Sequence, residues 1–126
     1  MSTTAELLKG AAELFPDEVV TSAHVRHLDL PFGAGRFALI TLDNGFDHTK
    51  PTTFGPQSLA NLDAAIDQVE AEAAGGDIVG VGITGKPFIF AVGADLKGVE
   101  LLKEHKDALA IGKGGHEVFK LSLIHI

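Results

Sequence analysis

Cysteine is absent. The chain therefore has no disulfide, no thiolate metal site and no thiol nucleophile. Basic residues are scarce, ten Lys and Arg against seventeen Asp and Glu, giving a net charge of −7 and a pI of about 5.2. A nucleic-acid surface needs clustered Lys and Arg, so nucleic acid is not an expected partner. A local anion site stays open, because a few well-placed donors outweigh a mean field. Long apolar runs are also missing. None approaches the roughly 20 residues of a membrane span, so no membrane partner is expected. The start, Met1-Ser2-Thr3-Thr4-Ala5-Glu6, lacks the basic head and apolar core of a signal peptide and the Arg bias of a transit peptide. A soluble cytoplasmic protein is the expectation.

What is present is apolar enough to fold: 45 % hydrophobic, with mean hydropathy +0.22 over 126 residues. That length holds at most one small domain. Residues 1–16 read as a lead-in helix. Thr3 and Glu6 fit a capping box, Leu8, Ala11, Ala12 and Phe15 share one face, and Pro16 stops it. Residues 18–30, rich in Val, Thr and His, read as an edge or half-exposed strand. Residues 31–35 form a turn. Residues 36–42 are nearly all apolar, which predicts a strand buried on both faces. Asp43-Asn44-Gly45 carries turn chemistry, and 46–55 is a loop.

Pro56 suits the first helical position. Leu59, Leu62, Ile66, Val69 and Ala73 then recur at helical spacing, with Asp63, Asp67, Glu70 and Glu72 largely opposite. Gly75-Gly76 ends that helix. Residues 78–84 read as a third strand, 85–87 as a turn, 88–91 as a fourth and buried strand, and 98–106 as a short helix with a loop. Residues 107–120 read as a helix with Ala108, Leu109, Ile111, Val118 and Phe119 as apolar positions. Gly112, Gly114 and Gly115 weaken it by about 1 kcal/mol each. The order is β-β-α-β-β-α, an α/β pattern.

The stretch Phe88-Ile89-Phe90-Ala91-Val92-Gly93-Ala94-Asp95-Leu96-Lys97 organises the rest. It reads as strand, small-residue turn and helix start. Asp95 is a good helix cap. A turn of this kind leaves backbone N–H groups aimed outward, ready for an anion or a polarised carbonyl.

Residues 90–97 resemble the first signature of the crotonase (enoyl-CoA hydratase/isomerase) superfamily. Its usual form is Phe-Ala-Ala-Gly-Ala-Asp, then an apolar residue and Lys. Val92 stands where Ala is commoner. Residues 38–44 resemble that family's first core strand, and 56–75 its first long helix. Asp43-Asn44-Gly45-Phe46-Asp47-His48-Thr49 and Thr53-Phe54-Gly55-Pro56 resemble the bacterial bifunctional subgroup. There a hydratase domain precedes a 3-hydroxyacyl-CoA dehydrogenase domain. The resemblance spans roughly residues 17–120.

The resemblance implies an incomplete N-terminal portion of a crotonase (ClpP-like) spiral of ββα units, with 17–120 as a partial domain. It implies an acyl-CoA thioester as substrate, in fatty-acid β-oxidation. The Ala94 amide is the implied oxyanion donor and so the catalytic group. Val92 is placed near the CoA adenine, Asp95 and Leu96 along the substrate, and Lys97 near the CoA phosphates. No resident cofactor is implied. NAD enters only if a dehydrogenase domain follows. Family members usually form homo-oligomers. The family's two catalytic glutamates and its second oxyanion donor, from a Gly-rich helix start, lie downstream in the pattern. Residues 95–126 contain no Gly-Gly-Gly, so the expectation is a chain inactive as a hydratase by itself. Residues 121–126 fit neither the helix nor the family pattern. They resemble translated adapter sequence, and this tail of doubtful origin is given no function.

Other reactions of the same fold remain open: isomerase, thioester hydrolase, dehalogenase or decarboxylase. So does a non-enzymatic interaction module. Gly80, Gly82, Gly85 and Lys86 formally match a dinucleotide fingerprint and most of a P-loop, the basis of a rival nucleotide-binding α/β module. Both motifs need a helix directly behind the glycines, whereas Pro87 and an apolar run follow. Close strand packing is the preferred reading there. His24 and His27, on one strand, point to opposite faces. His48 with Asp47 and Lys50 reads as a solvated loop, and His116 has only the adjacent Glu117. No metal set and no Ser/His/Asp set emerges.

Overall fold

The chain was analysed as a computed structural model that describes residues 8, 10–94 and 105–124. Among these, alternation of apolar and polar residues builds a three-stranded mixed sheet. Strand β1 (Ser22–Leu30) pairs antiparallel with β2 (Gly35–Asp43) through a tight turn at Pro31–Gly33. Strand β3 (Gly80–Thr84) lies parallel to β2 on its other side, with Ala38 opposite Val81 and Ile40 opposite Ile83. Helix α1 (Pro56–Ala74) makes the crossover, as a parallel connection requires.

The core lies between α1 and one face of the sheet. Ala38, Ile40 and Leu42 of β2 meet Leu59, Leu62, Ala65, Ile66 and Val69 of α1, with Ile78 beside them. The opposite face of β2 is only half-buried at Phe37, Leu39 and Thr41. The expected burial on both faces is thus corrected: among the described residues, helix covers one face. Asp63, expected to face outward, is buried at 3 % exposure, while Ala73 is exposed.

Helix α2 (His105–Ile124) packs on α1. Its buried stripe includes Val118, as expected, but not the other described apolar positions. Leu109 is 47 % exposed and Ala108 is exposed, whereas Gly114 and Val118 are buried. A Cβ on Gly114 would sit 2.8 Å from Leu8 Cδ2, so glycine lets the helix approach the N-terminal segment. The helix runs through four residues of the 121–126 tail. Leu8, Ala11 and Phe15 are buried, as the lead-in face predicts. The expected helix over 98–106 falls largely outside the described residues.

The expected fourth strand over 88–91 does not form. Phe88 has φ 70, a value a phenylalanine rarely adopts. Phe88, Phe90 and Val92 are 93 %, 53 % and 56 % exposed. The segment is irregular and ends in an isolated parallel bridge between Ala94 and Phe54. The Ile89 N–H turns back to the Lys86 carbonyl, and Val92 and Gly93 bond to Thr52 and Phe54 rather than to the sheet.

Candidate functional site

Two hydrogen bonds tie the 92–94 segment to the chain before α1. The Val92 N–H donates to the Thr52 carbonyl at 2.9 Å, and the Phe54 N–H donates to the Gly93 carbonyl at 2.8 Å. In a regular strand, N–H groups of alternate residues face the same partner, so Val92 and Ala94 would both spend theirs on residues 52–54. Gly93 breaks that alternation with φ +96. Its peptide is turned over, so the Gly93 carbonyl faces Phe54. The bond is trans, which points C=O and N–H of one peptide plane in opposite directions. The Ala94 N–H therefore points away from residues 52–54. Ala94 is exposed, and among the described residues its amide has no hydrogen-bond partner. A Cβ on Gly93 would meet nothing within 4 Å, so the glycine serves the dihedral rather than space.

The 52–54 segment is itself held firmly. The Glu18 carboxylate accepts from the Gln57 N–H (3.0 Å), the Ser58 N–H (3.1 Å) and the Ser58 hydroxyl (2.8 Å), so it caps α1 from 39 or more residues away. Gly55, the local cap position, offers no side chain. The Thr21 hydroxyl donates to the Thr53 carbonyl, the Thr21 N–H donates to Ser58 Oγ, and the Asn61 amide donates to the Thr21 carbonyl. Thr52 is fully buried, and among the described residues its hydroxyl has no partner.

The rival nucleotide site does not assemble. Gly80 and Gly82 lie inside β3, not in a loop before a helix. Cβ atoms there would come within 3.0 Å of the Phe37 ring, so the glycines make room for that ring across the strand, as close packing predicted. Lys86 is 8 % exposed. Its ammonium donates to Asn44 Oδ1 (2.5 Å), the Phe46 carbonyl (2.9 Å) and the Lys50 carbonyl (2.7 Å). All three of its protons are thereby spoken for, and none is left for a phosphate.

Beside this lysine a cavity of about 320 Å³ is lined by Asp43, Phe46, Asp47, His48, Pro87 and Phe88. Its carboxylates serve the loop. Asp43 accepts from the Gly45 N–H, and Asp47 from the Thr49 hydroxyl and N–H. The Thr49 hydroxyl, then the Thr49 amide, hold the Asp47 carboxyl below its ordinary range. His48 stands edge-on to Phe88, and Lys50 sits 4.2 Å over the Phe46 ring.

His24 and His27 face opposite sides of β1, as expected. His27 reaches Glu72 of α1, with Nε2 2.5 Å from Oε2. The Gln68 side-chain amide, then His27, hold the Glu72 carboxyl below its ordinary range. Among the described residues no cluster of His, Asp and Glu is arranged to hold a metal, and no helix is long and apolar enough to cross a membrane.

Of the predicted site residues, the structure places Val92 and Ala94 together at the exposed end of the bridge. Asp95, Leu96 and Lys97 lie outside the described residues. Sequence reasoning missed Glu18, and it weighed Lys86 only as part of a P-loop match, not as a buried anchor. A long-range cap leaves no local signal, and a lysine next to a proline reads as surface turn. Comparison of the chain with protein-family models, with curated proteins and with solved structures finds no match.

Proposed function

We propose that the chain holds the thioester carbonyl of an acyl-CoA against the Ala94 amide, as the first donor of an oxyanion hole. The turned-over Gly93–Ala94 peptide carries this reading. It leaves the N–H of an exposed residue without a partner among the described residues, and fixed in direction by hydrogen bonds on its far side. Such a preorganised donor is worth about 3–4 kcal/mol when charge moves onto the substrate oxygen. The neighbouring residues leave room for a thioester, since Gly93 and Ala94 present no bulk and Val92 is exposed beside them.

The reaction best supported is that of an enoyl-CoA hydratase, within a crotonase-type spiral of a homo-oligomeric, cytoplasmic fatty-acid oxidation protein. What supports it is the residue pattern at 90–97 together with this peptide geometry. Adding water to the enoyl double bond needs a base for the water and an acid for the α-carbon. In the family pattern those carboxylates, and the second oxyanion donor, lie downstream of the segment that residues 90–97 resemble. They also decide between hydration and the isomerase, dehalogenase or hydrolase chemistry of the same fold. By the same resemblance, Asp95 and Leu96 are assigned to the substrate-contacting stretch and Lys97 to the CoA phosphates.

Crotonyl-CoA labelled with 13C at the thioester carbonyl tests this. Saturable binding with a downfield carbonyl shift is expected. Ala94→Gly keeps the N–H and keeps the shift; Ala94→Pro removes the N–H and loses it. A shift unchanged in Ala94→Pro, or binding of ATP or NAD that disappears in Gly82→Ala, defeats the proposal. Rapid hydration of crotonyl-CoA by residues 1–126 alone refutes the placing of the carboxylates elsewhere.

A further inference from the structure

We propose that Lys86 and Asn44 are positioning residues for the Ala94 amide, acting through residues 50–54. This rests on the thioester reading above for its functional meaning, but not for its geometry.

Lys86 is a buried ammonium with no carboxylate in direct salt-bridge contact among the described residues, although Asp47 is near enough to feel its charge. Burying a charge is tolerated only when hydrogen bonds replace its water. Here three oxygens do so: Asn44 Oδ1, the Phe46 carbonyl and the Lys50 carbonyl. The Asn44 amide then donates to the same Lys50 carbonyl (3.2 Å) and to the Pro51 carbonyl (3.3 Å). The chain is thus gripped at 50 and 51, immediately before Thr52. Thr52 provides the carbonyl for Val92, and Phe54 the N–H that draws the Gly93 carbonyl over.

The other half of the bridge springs from the same point. The Lys86 carbonyl accepts from the Ile89 N–H at 3.2 Å, at the head of the segment that ends at Ala94. Both arms of the bridge therefore root in one buried cage. The direction of the Ala94 N–H is set by the position of Phe54 relative to Gly93. That relative position is set where the two arms begin. A buried ammonium suits this role because it holds three acceptors in three directions at once. A neutral side chain of the same length leaves the Phe46 carbonyl without its donor, and leaves Asn44 Oδ1 and the Lys50 carbonyl with one donor each, the Phe46 N–H and the Asn44 amide, so the loop is held less firmly.

Amide hydrogen exchange on the whole chain tests the geometry without any ligand. In Lys86→Met the Val92 and Phe54 amides are expected to exchange about tenfold faster or more. The Val79 amide, which donates to the Arg36 carbonyl outside the bridge, stays as in the wild type. Lys86→Ala opens room for a small cation. Ethylammonium then restores slow exchange at Val92, whereas tetramethylammonium, which cannot donate, does not. Asn44→Ala repeats the pattern of Lys86→Met. With 13C-labelled crotonyl-CoA, Lys86→Met retains binding but shows a smaller carbonyl shift. Unchanged exchange at Val92 and Phe54 overturns the proposal. So does acceleration that includes Val79 equally, since that is general loosening. A wild-type chain that gives no carbonyl shift, with exchange responding as described, sinks the thioester reading and leaves the positioning role standing.

Discussion

Gly93→Ala is the most direct perturbation of the peptide on which the functional reading depends. A new Cβ would meet nothing within 4 Å, so the substitution carries no steric penalty. Its whole effect comes from the dihedral: φ +96 lies where a residue with a Cβ is strained. The strain is of order 1–3 kcal/mol. The Phe54–Gly93 hydrogen bond that opposes relaxation contributes about 0.5–1.5 kcal/mol net. The strain equals or exceeds the restraint, so the 93–94 peptide turns back and carries the Ala94 N–H toward residues 52–54. Crotonyl-CoA affinity is expected to fall about tenfold, which corresponds to about 1.4 kcal/mol. Isothermal titration measures it. Gly76→Ala is the control, because Gly76 has φ +85 and equally open surroundings, but lies past the end of α1. Both variants should lose similar thermal stability, and only Gly93→Ala should lose affinity. Equal affinity in the two variants would mean that the orientation of this amide is not what binds the thioester.

Thr52→Val removes a fully buried hydroxyl that has no partner among the described residues, so it should stabilise the fold by about 1 kcal/mol; a lower melting temperature contradicts that. Glu18→Ala uncaps α1 from a distance and should cost about 1–2 kcal/mol in urea unfolding, with no recovery at any salt concentration. Because the Glu72 carboxyl is held below its ordinary range when folded, it binds fewer protons folded than unfolded. Its stabilisation is present above the ordinary glutamate value of about 4.3 and is lost as pH falls below it. Melting temperatures between pH 5 and 3 should fall less steeply in Glu72→Gln, and parallel curves would contradict this. Gly82→Ala brings a Cβ to 3.0 Å from Phe37 Cζ and should cost about 1–3 kcal/mol. Phe37→Leu in the same chain should recover part of it, and strict additivity of the two changes would refute the contact.

The helices and strands of the core were legible because their signals are local. Pro56 and Gly75 bracket α1, and Leu59, Leu62, Ile66 and Val69 mark its buried face. The Leu30–Gly35 closure of the hairpin follows from the turn residues between. The glycines of α2 misled for a physical reason. Helix propensity counts Gly114 as a weakness, whereas packing uses its missing side chain to seat Leu8. The apolar run at 88–91 misled similarly. Hydrophobicity predicts burial, but the segment turns at Phe88, pairs with Thr52 and Phe54 rather than with the sheet, and leaves Phe88 and Phe90 exposed.

The sequence by itself determined the α/β pattern, the crossover helix and the small residues at 93 and 94, since each depends on side-chain size and spacing along a few turns of chain. Only the tertiary structure decided which way the Ala94 N–H points, what Lys86 does and how α1 is capped. Those depend on partners 36 to 42 residues away. No local pattern encodes such a meeting, because it exists only after the sheet and helix have brought the distant segments together.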